Sequence, residues 1–135
     1  MKKVMLDTNI LVSAVLDSES NLYQAYKKAV EPPYQSFICD QNIEELRRVF
    51  KRKFPGKTVA LENFIESAQS VVKIIPVPLS TLPDEEQVRD PDDRPILRAA
   101  IKAGVDILIT GDKDFLESGL TTPRIITASE FLKMP

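Results

Sequence analysis

Five short apolar runs alternate along this chain with segments of helical periodicity, and this alternation limits the possible folds more than any other feature. It is typical of α/β proteins, in which helices cover a parallel sheet. The apolar runs predict strands at residues 3–7, 35–39, 72–77, 105–110 and 124–126. The periodic segments predict helices at residues 10–15, 22–30, 41–54, 59–70, 96–103 and 128–132. With 135 residues the chain has the size of one domain, which we expect to span residues 1–135.

Local signals mark the ends of several predicted helices. Thr127 and Glu130 have the spacing of a capping box, which places a helix start at residue 128. Gly104 follows the fifth predicted helix as a C-terminal glycine does, and Pro95 suits the first turn of that helix. The prolines at 32–33 and in the stretch 76–83 predict loops, because proline interrupts both sheets and helices.

Acids follow two of the apolar runs. Asp7 ends the first run, and Asp112 follows the run that ends at Thr110, with Gly111 between them. Runs of this length indicate strands buried on both faces, and parallel sheets bind ligands at the carboxyl ends of their strands. Carboxylates without imidazole or thiol partners suit a hard divalent cation such as Mg²⁺ or Mn²⁺. We therefore expect a divalent metal site at this edge of the sheet.

The residue types that the chain lacks exclude several kinds of chemistry. It has no histidine and one cysteine, Cys39, which excludes histidine-based catalytic triads, the usual zinc sites and an internal disulfide. It has no glycine-rich phosphate loop. The amino terminus resembles neither a signal peptide nor a membrane span, and with the single cysteine this predicts a cytoplasmic protein that does not associate with membranes.

Asp7 and Glu45 are the first two candidate metal ligands. Thr8 and Asn9 follow Asp7 as neutral groups able to orient it or to hold a metal-bound water. Asp7 or Thr8 could equally cap the next helix. On the third predicted helix, Glu45 lies nearer the apolar stripe than Glu44, which we expect to face water. Glu45 is therefore the better candidate, although two glutamates on a charged helix also fit an ordinary surface.

The other candidates come from acidic segments later in the chain. Three aspartates precede the fifth predicted helix, namely Asp90, Asp92 and Asp93. Asp93 is preferred because it shares the inward-facing side of that helix, although acids at a helix start also fit plain capping. Asp112 lies closest to the end of the fourth strand, with Asp114 as the alternative or a supporting group. Lys113 and Thr110 could contact a substrate phosphate, or Lys113 could simply neutralise the charge of the neighbouring aspartates.

A strip of basic residues lies on and after the third predicted helix, at Arg47, Arg48, Lys51, Arg52, Lys53 and Lys57. Beside an acidic pocket, such a strip can hold a nucleic-acid backbone against a metal site. Taken alone, the strip is explained better as solvated surface. The net charge of −2 argues against indiscriminate nucleic-acid binding.

Several carboxylates close together repel one another unless a cation lies between them. One or two Mg²⁺ or Mn²⁺ ions would remove that repulsion and generate a water nucleophile. The reaction that fits best is in-line hydrolysis of a phosphodiester, with the number of ions left open.

Taken together, these segments resemble the PIN-domain nucleases (PilT N-terminal domain), and most closely the bacterial and archaeal toxins akin to VapC. Five segments carry the resemblance in register: V-M-L-D-T-N-I-L-V-S-A, E-E-L-R-R-V-F-K-R-K-F, D-P-D-D-R-P-I-L-R-A-A, L-I-T-G-D-K-D-F and I-I-T-A-S-E-F-L. The resemblance implies a three-layer α/β/α fold whose short parallel sheet has the strand order 3-2-1-4-5. It also implies a Mg²⁺- or Mn²⁺-dependent endoribonuclease.

The resemblance implies roles for particular residues and partners as well. The metal-binding acids of the family fall on Asp7, Glu45, Asp93 and Asp112, with Asp114 near the site. Its polar positions fall on Thr8, Asn9 and Thr110. Toxins of this kind are held inactive by a cognate antitoxin, and homodimers are common. The cluster of three aspartates leaves open whether Asp92 or Asp93 is the ligand.

Two other functions compete with this one. A catalytically silent PIN-like module would bind RNA or a protein partner, but the intact set of acids argues against it. A receiver domain that accepts a phosphoryl group on an aspartate near Lys113 fits poorly, because receivers carry that aspartate after a middle strand rather than after the first.

Overall fold

The computed structural model describes residues 2–135 and has an α/β architecture. Five parallel strands form the sheet: β1 (Lys2–Leu6), β2 (Tyr34–Cys39), β3 (Val72–Ile75), β4 (Ile107–Ile109) and β5 (Arg124–Ile126). Their order is β3-β2-β1-β4-β5, which confirms the predicted order 3-2-1-4-5. The first strand of the chain is therefore the middle strand of the sheet.

Seven α-helices lie within the described residues: α1 (Thr8–Leu16), α2 (Asn21–Ala29), α3 (Asp40–Lys53), α4 (Thr58–Ala68), α5 (Arg94–Ala103), α6 (Lys113–Leu116) and α7 (Ala128–Leu132). Three 3-10 turns lie at Pro55–Lys57, Pro83–Gln87 and Pro91–Asp93. Across residues 2–135, no helix combines the length and the apolar character needed to cross a bilayer.

The helices pack on both faces of the sheet because successive side chains of a strand point to opposite sides. On β1, Val4 and Leu6 face one core and Met5 faces the other, and all three are fully buried. Helices α1, α2, α3, α4 and α7 contribute to the first core. Helices α5 and α6 contribute to the second, which makes the fold a three-layer α/β/α sandwich.

The five predicted strands are all present, and their ends differ from the prediction by at most two residues. The strand predicted at 105–110 is shorter because Gly104 adopts a left-handed conformation with φ of 69°. The backbone N–H of Val105 then donates to Ala100, so Val105 completes the end of α5 instead of joining β4. The strand predicted at 72–77 ends before Pro76, which has no N–H to donate.

The helices agree less closely with the prediction. Helix α1 begins at Thr8, two residues earlier than predicted, because the Asp7 side chain caps it. Helix α6 is absent from the prediction, since its four residues are too few to show a helical period. The capping box of Thr127 and Glu130 is present at the start of α7, as predicted.

The topology places the end of β1 at a natural ligand site. The chain winds from β1 through β2 to β3 in one direction and then returns to β4 on the opposite side of β1. Such a reversal opens a crevice outside the carboxyl ends of the strands. Asp7 lies at this point, and its backbone N–H donates to the carbonyl of Ile109 at 3.0 Å.

Candidate metal centre

Asp7 is buried at the end of β1, with 4% of its surface exposed. Its Oδ1 accepts from the backbone N–H of Thr8 at 2.8 Å, and its Oδ2 accepts from the Thr110 hydroxyl at 2.8 Å. Burial raises the pKa of Asp7 to about 6, because these two hydrogen bonds offset only part of the desolvation cost. The side chain therefore caps α1 and also faces the crevice, so the two sequence-based interpretations do not exclude each other.

Glu45 is held beside Asp7 by two donors. The Thr8 hydroxyl donates to Glu45 Oε2 at 2.7 Å, and Gln41 Nε2 donates to Glu45 Oε1 at 3.0 Å. Gln41 also donates to the backbone carbonyl of Asp92 at 2.9 Å. Gln41 therefore ties α3 to the loop that carries the next acids. Its spacing of four residues before Glu45 was a signal for this contact that the sequence analysis missed.

Asn42 is a second polar residue that the sequence analysis missed. It is fully buried and bridges the end of β2 to the start of α1. Its Oδ1 accepts from the backbone N–H of Cys39 at 2.8 Å and from the Cys39 thiol at 3.2 Å. Its Nδ2 donates to the Thr8 hydroxyl oxygen at 2.8 Å. Because Asn42 and Thr8 are far apart in sequence, only the capping position of Asn42 near the start of α3 was visible from the sequence.

Asp93 and Asp112 form the opposite side of the site. Burial and the neighbouring Asp112 raise the pKa of Asp93 to about 8. Asp93 Oδ2 is buried without a hydrogen-bond donor among the described residues. Asp112 caps α6 by accepting from the backbone N–H of Asp114 at 2.8 Å. The two carboxylates therefore face each other with no donor between them unless one carries a proton.

Asp90 and Asp114 lie next to Asp93. One carboxylate oxygen from each of these three residues falls within 4.8 Å of the others. Arg89 forms an ion pair with Asp114, whose Oδ1 has no donor with hydrogen-bond geometry among residues 2–135. Asp90 also accepts from the backbone N–H of Asp92 at 3.0 Å, which is the capping alternative considered for this segment.

One open cleft of about 510 Å³ contains the four main candidates, Asp7, Glu45, Asp93 and Asp112. Thr8 and Asn9 also line it, whereas the buried Thr110 does not line it but is hydrogen-bonded to Asp7 and to the backbone of Asp112, which do. Asp114 is not among the lining residues. Glu44 and Asp92 also line the cleft. Glu44 is exposed, as expected, so it faces water in the open cleft. Which of these acids bind metal stays a prediction.

The basic strip divides into residues that face the cleft and residues that do not. Arg48 and Arg52 line the cleft, following Glu45 by three and seven residues on one face of α3. Arg47 points away and pairs with Glu62 of α4 at 2.9 Å. Lys51, Lys53 and Lys57 of the strip are exposed but do not line the cleft, and the same is true of Lys113, which lies outside the strip. Only two of the six residues of the strip, Arg48 and Arg52, therefore lie at the cleft.

The donor set fits a hard divalent cation. The acids that line the cleft offer oxygen ligands alone, which is the preference of Mg²⁺ and Mn²⁺. Asp93 has a buried oxygen without a donor, and the pKa values of Asp7 and Asp93 are raised to about 6 and about 8. Burial is the main cause of these raised pKa values, and the neighbouring acids add to it. A cation among these groups would favour their charged forms and remove the repulsion between them.

Comparison with solved structures identifies proteins of the same fold. A toxin–antitoxin complex from Klebsiella pneumoniae has a TM-score of 0.65 and 25% identity, covering 93% of this chain and 97% of that chain. VapBC2 from Rickettsia felis, bound to a DNA fragment from its promoter, has a TM-score of 0.65 and 20% identity, covering 93% of this chain and 96% of that chain. VapC20 from Mycobacterium tuberculosis, a toxin that cleaves the sarcin–ricin loop, has a TM-score of 0.58 and 18% identity, covering 87% of this chain and 95% of that chain.

Sequence comparison assigns the family. No curated protein matches the chain. The sequence model of the PIN domain, by contrast, matches residues 3–114, which include all six acids that line the cleft. The match agrees with the strand order and with the resemblance carried by the sequence segments. The chain therefore belongs to the PIN-domain family.

Proposed function

We propose that this protein is a Mg²⁺- or Mn²⁺-dependent endoribonuclease and the toxin of a toxin–antitoxin pair. The observation that carries the proposal is the cleft in which Asp7, Glu45, Asp93 and Asp112 converge from four parts of the chain. Membership of the PIN-domain family supports it, as does the similarity to VapC20, a toxin that cleaves the sarcin–ricin loop.

The four acids would hold one or two cations, and Asp114 with Asp90 would support them from the margin of the cleft. The bound cation supplies a water nucleophile at neutral pH and stabilises charge on the leaving oxygen. Asp7 and Glu45 are oriented for this role by Thr110 and Thr8, which donate to them at 2.8 and 2.7 Å. Oriented ligands of this kind bind metal more tightly than free ones.

Arg48 and Arg52 are the groups on this chain best placed to position RNA. Both are exposed side chains on the wall of the cleft next to Glu45. A guanidinium group binds phosphate through two parallel hydrogen bonds, which fixes the backbone relative to the acids. Asn9 is exposed on the same cleft and can hydrogen-bond substrate or water. Lys51, Lys53 and Lys113 would contribute through longer-range attraction.

The proposal includes a cognate antitoxin as partner, a homodimeric state and a cytoplasmic location. The similarity to toxin–antitoxin complexes from Klebsiella pneumoniae and Rickettsia felis supports the antitoxin. A small neighbouring open reading frame whose DNA-binding product co-purifies with this protein would support it further. Absence of such a frame would leave the nuclease chemistry standing and remove the toxin assignment.

Metal removal and one substitution test the nuclease. RNA cleavage should stop on addition of EDTA, return with excess Mg²⁺ or Mn²⁺, and be lost in Asp7→Asn. Asp84→Asn, which changes an exposed acid outside the cleft, is the matched control and should cleave normally. Cleavage that persists in Asp7→Asn would contradict the proposal. RNA binding that is equal with and without metal, together with no cleavage, would instead favour the silent RNA-binding module.

A further inference from the structure

Asn42 is a fully buried amide that does not line the cleft, yet it makes hydrogen bonds on both sides of its side chain. Its Oδ1 accepts from the backbone N–H of Cys39 at 2.8 Å. Its Nδ2 donates to the Thr8 hydroxyl at 2.8 Å. Asn42 is therefore one bond away from Thr8, which is itself bonded to Glu45.

The direction of these hydrogen bonds is fixed by chemistry. A backbone N–H can only donate, so the amide oxygen of Asn42 must face Cys39 and its NH₂ group must face Thr8. The Cys39 thiol donates to the same oxygen at 3.2 Å. Burial raises the pKa of this thiol to about 11, which keeps its proton in place at neutral pH.

The consequence falls on Thr8. A hydroxyl group has one proton to donate. Because Asn42 Nδ2 donates to the Thr8 oxygen, the Thr8 proton cannot point towards Asn42 and is directed to Glu45 Oε2 at 2.7 Å. The chain of donors runs from Cys39 through Asn42 and Thr8 and ends at the carboxylate of Glu45.

We propose that Asn42 is a positioning residue for the metal centre, because it makes Thr8 a fixed donor to Glu45. The inference rests on the proposed function, in which Glu45 binds a divalent cation. One oxygen of Glu45 is then held by Thr8 and the other by Gln41, so the carboxylate presents its remaining lone pairs to the cleft without reorganising.

The same arrangement occurs around Asp7, with a backbone group in place of Asn42. The backbone N–H of Asp112 donates to the Thr110 hydroxyl oxygen at 3.0 Å, and Thr110 donates to Asp7 at 2.8 Å. Both threonines therefore receive one hydrogen bond and pass their proton to a carboxylate. Only on the Glu45 side is the first donor a side chain, so only there can a substitution reverse it.

A double-mutant cycle tests the inference. In its ionised form, the side chain of Asn42→Asp keeps the acceptor that Cys39 needs but replaces the donor to Thr8 with an acceptor, which competes with Glu45 for the Thr8 proton. In Thr8→Val there is no proton to redirect. We expect Asn42→Asp to weaken Mn²⁺ binding about tenfold or more in the wild-type background, and less than about twofold in the Thr8→Val background. Calorimetric titration with Mn²⁺ measures the change in affinity in both backgrounds. The affinity of the metal-free protein for RNA should be the same with and without Asn42→Asp.

A pure charge effect and a general loss of structure would each give a different result in this cycle. The added negative charge alone would tighten Mn²⁺ binding in both backgrounds, and a loss of structure would weaken it in both. Either pattern would overturn the inference.

Asn42→Leu, whose side chain neither orients the Thr8 hydroxyl nor competes for its proton, should give a smaller loss of Mn²⁺ affinity than Asn42→Asp, again only when Thr8 is present. If Asn42→Asp fails to fold, as judged by circular dichroism, the Mn²⁺ affinity of Asn42→Leu is compared in the two backgrounds instead. An equal loss with and without Thr8 would then overturn the inference.

Failure of this inference is distinguishable from failure of the proposed function. A wild-type protein that neither binds Mn²⁺ nor cleaves RNA contradicts the nuclease itself. A wild-type protein that does both, with effects of Asn42→Asp that simply add to those of Thr8→Val, contradicts only the role of Asn42.

Discussion

The two sides of the cleft are built differently. On one side, Asp7 and Glu45 each accept two hydrogen bonds, from Thr8, Thr110 and Gln41. On the other side, Asp93 has a buried oxygen without a hydrogen-bond donor among the described residues, and Asp112 lies next to it. The first side is organised by hydrogen bonds from the protein, whereas on the second side the carboxyl groups of Asp93 and Asp112 repel each other when both are charged.

This difference indicates how a cation would act on the site. A carboxylate that already accepts hydrogen bonds gains orientation from the protein, whereas one that faces another carboxylate gains most from a cation. Hydrogen bonds do not remove the cost of burial, since the pKa of Asp7 is still raised to about 6. The pKa of Asp93 is raised further, to about 8, so its charged form is destabilised more than that of Asp7. We therefore expect metal to stabilise the second side more than the first.

The largest effect is expected from Glu45→Gln. Loss of a metal-binding carboxylate should lower RNA cleavage at least about 100-fold, since residues that only orient metal ligands already contribute about ten- to 100-fold. Glu44→Gln is the matched control, because Glu44 lines the same cleft but is exposed, and within residues 2–135 no side-chain hydrogen bond holds it there. Cleavage assays at saturating Mn²⁺ compare the two. Equal losses would mean that the hydrogen-bonded side has no special role.

Divalent metal should stabilise the protein strongly, and more at high pH. At 100 times its dissociation constant, a ligand raises the free energy of unfolding by about 2.7 kcal/mol. Protons compete with the cation for Asp7 and Asp93, whose pKa values are raised to about 6 and about 8. Thermal unfolding with Mg²⁺ or with EDTA should therefore differ more at pH 8 than at pH 6. A larger shift at pH 6 would contradict this account of the acids.

Asp93→Asn should stabilise the metal-free protein at high pH. The pKa of Asp93 rises from 3.8 to about 8 on folding, so its contribution to stability is full below pH about 4 and is lost as the pH rises towards 8. Asparagine does not ionise, so this loss of stability at high pH disappears, and its NH₂ group can donate a hydrogen bond to Asp112. We expect a gain of about 1 kcal/mol at pH 8.5 in urea unfolding and little difference at pH 5. A destabilised variant at pH 8.5 would show that Asp93 and Asp112 do not repel each other.

The smallest effect is expected on the salt dependence of RNA binding. If Arg48 and Arg52 each contact one phosphate, the double change to alanine should reduce the slope of log affinity against log salt by about 1.4. Arg47→Ala is the control, since Arg47 pairs with Glu62 away from the cleft. That exposed pair should contribute less than about 1 kcal/mol to stability. Equal changes in slope for Arg47 and for the double variant would mean that RNA binds across the whole basic strip.

Much of this architecture was visible in the sequence because it depends on local patterns. The runs of buried apolar residues marked all five strands, and the Gly104 and Thr127 signals marked two helix ends. The short helix α6 and the true first residue of β4 were missed. Hydrogen bonds at helix ends decide both, and hydrophobic periodicity does not reveal them. Spacing relative to Glu45 could have separated Arg48 and Arg52 from Arg47, because helical periodicity alone puts them on different faces.

The sequence by itself determined the alternation of strands and helices, the presence of acids after the first and fourth strands, and the absence of histidine chemistry. Only the tertiary structure decided which hydrogen bonds each acid accepts, because Asn42, Thr8 and Thr110 come from different elements and meet only when the sheet forms. It also decided that Asp93 lies next to Asp112 and that, among the described residues, no group donates a hydrogen bond to Asp93 Oδ2. Local patterns fix which face of an element is buried, but the partners of a buried polar group depend on how the elements pack against one another.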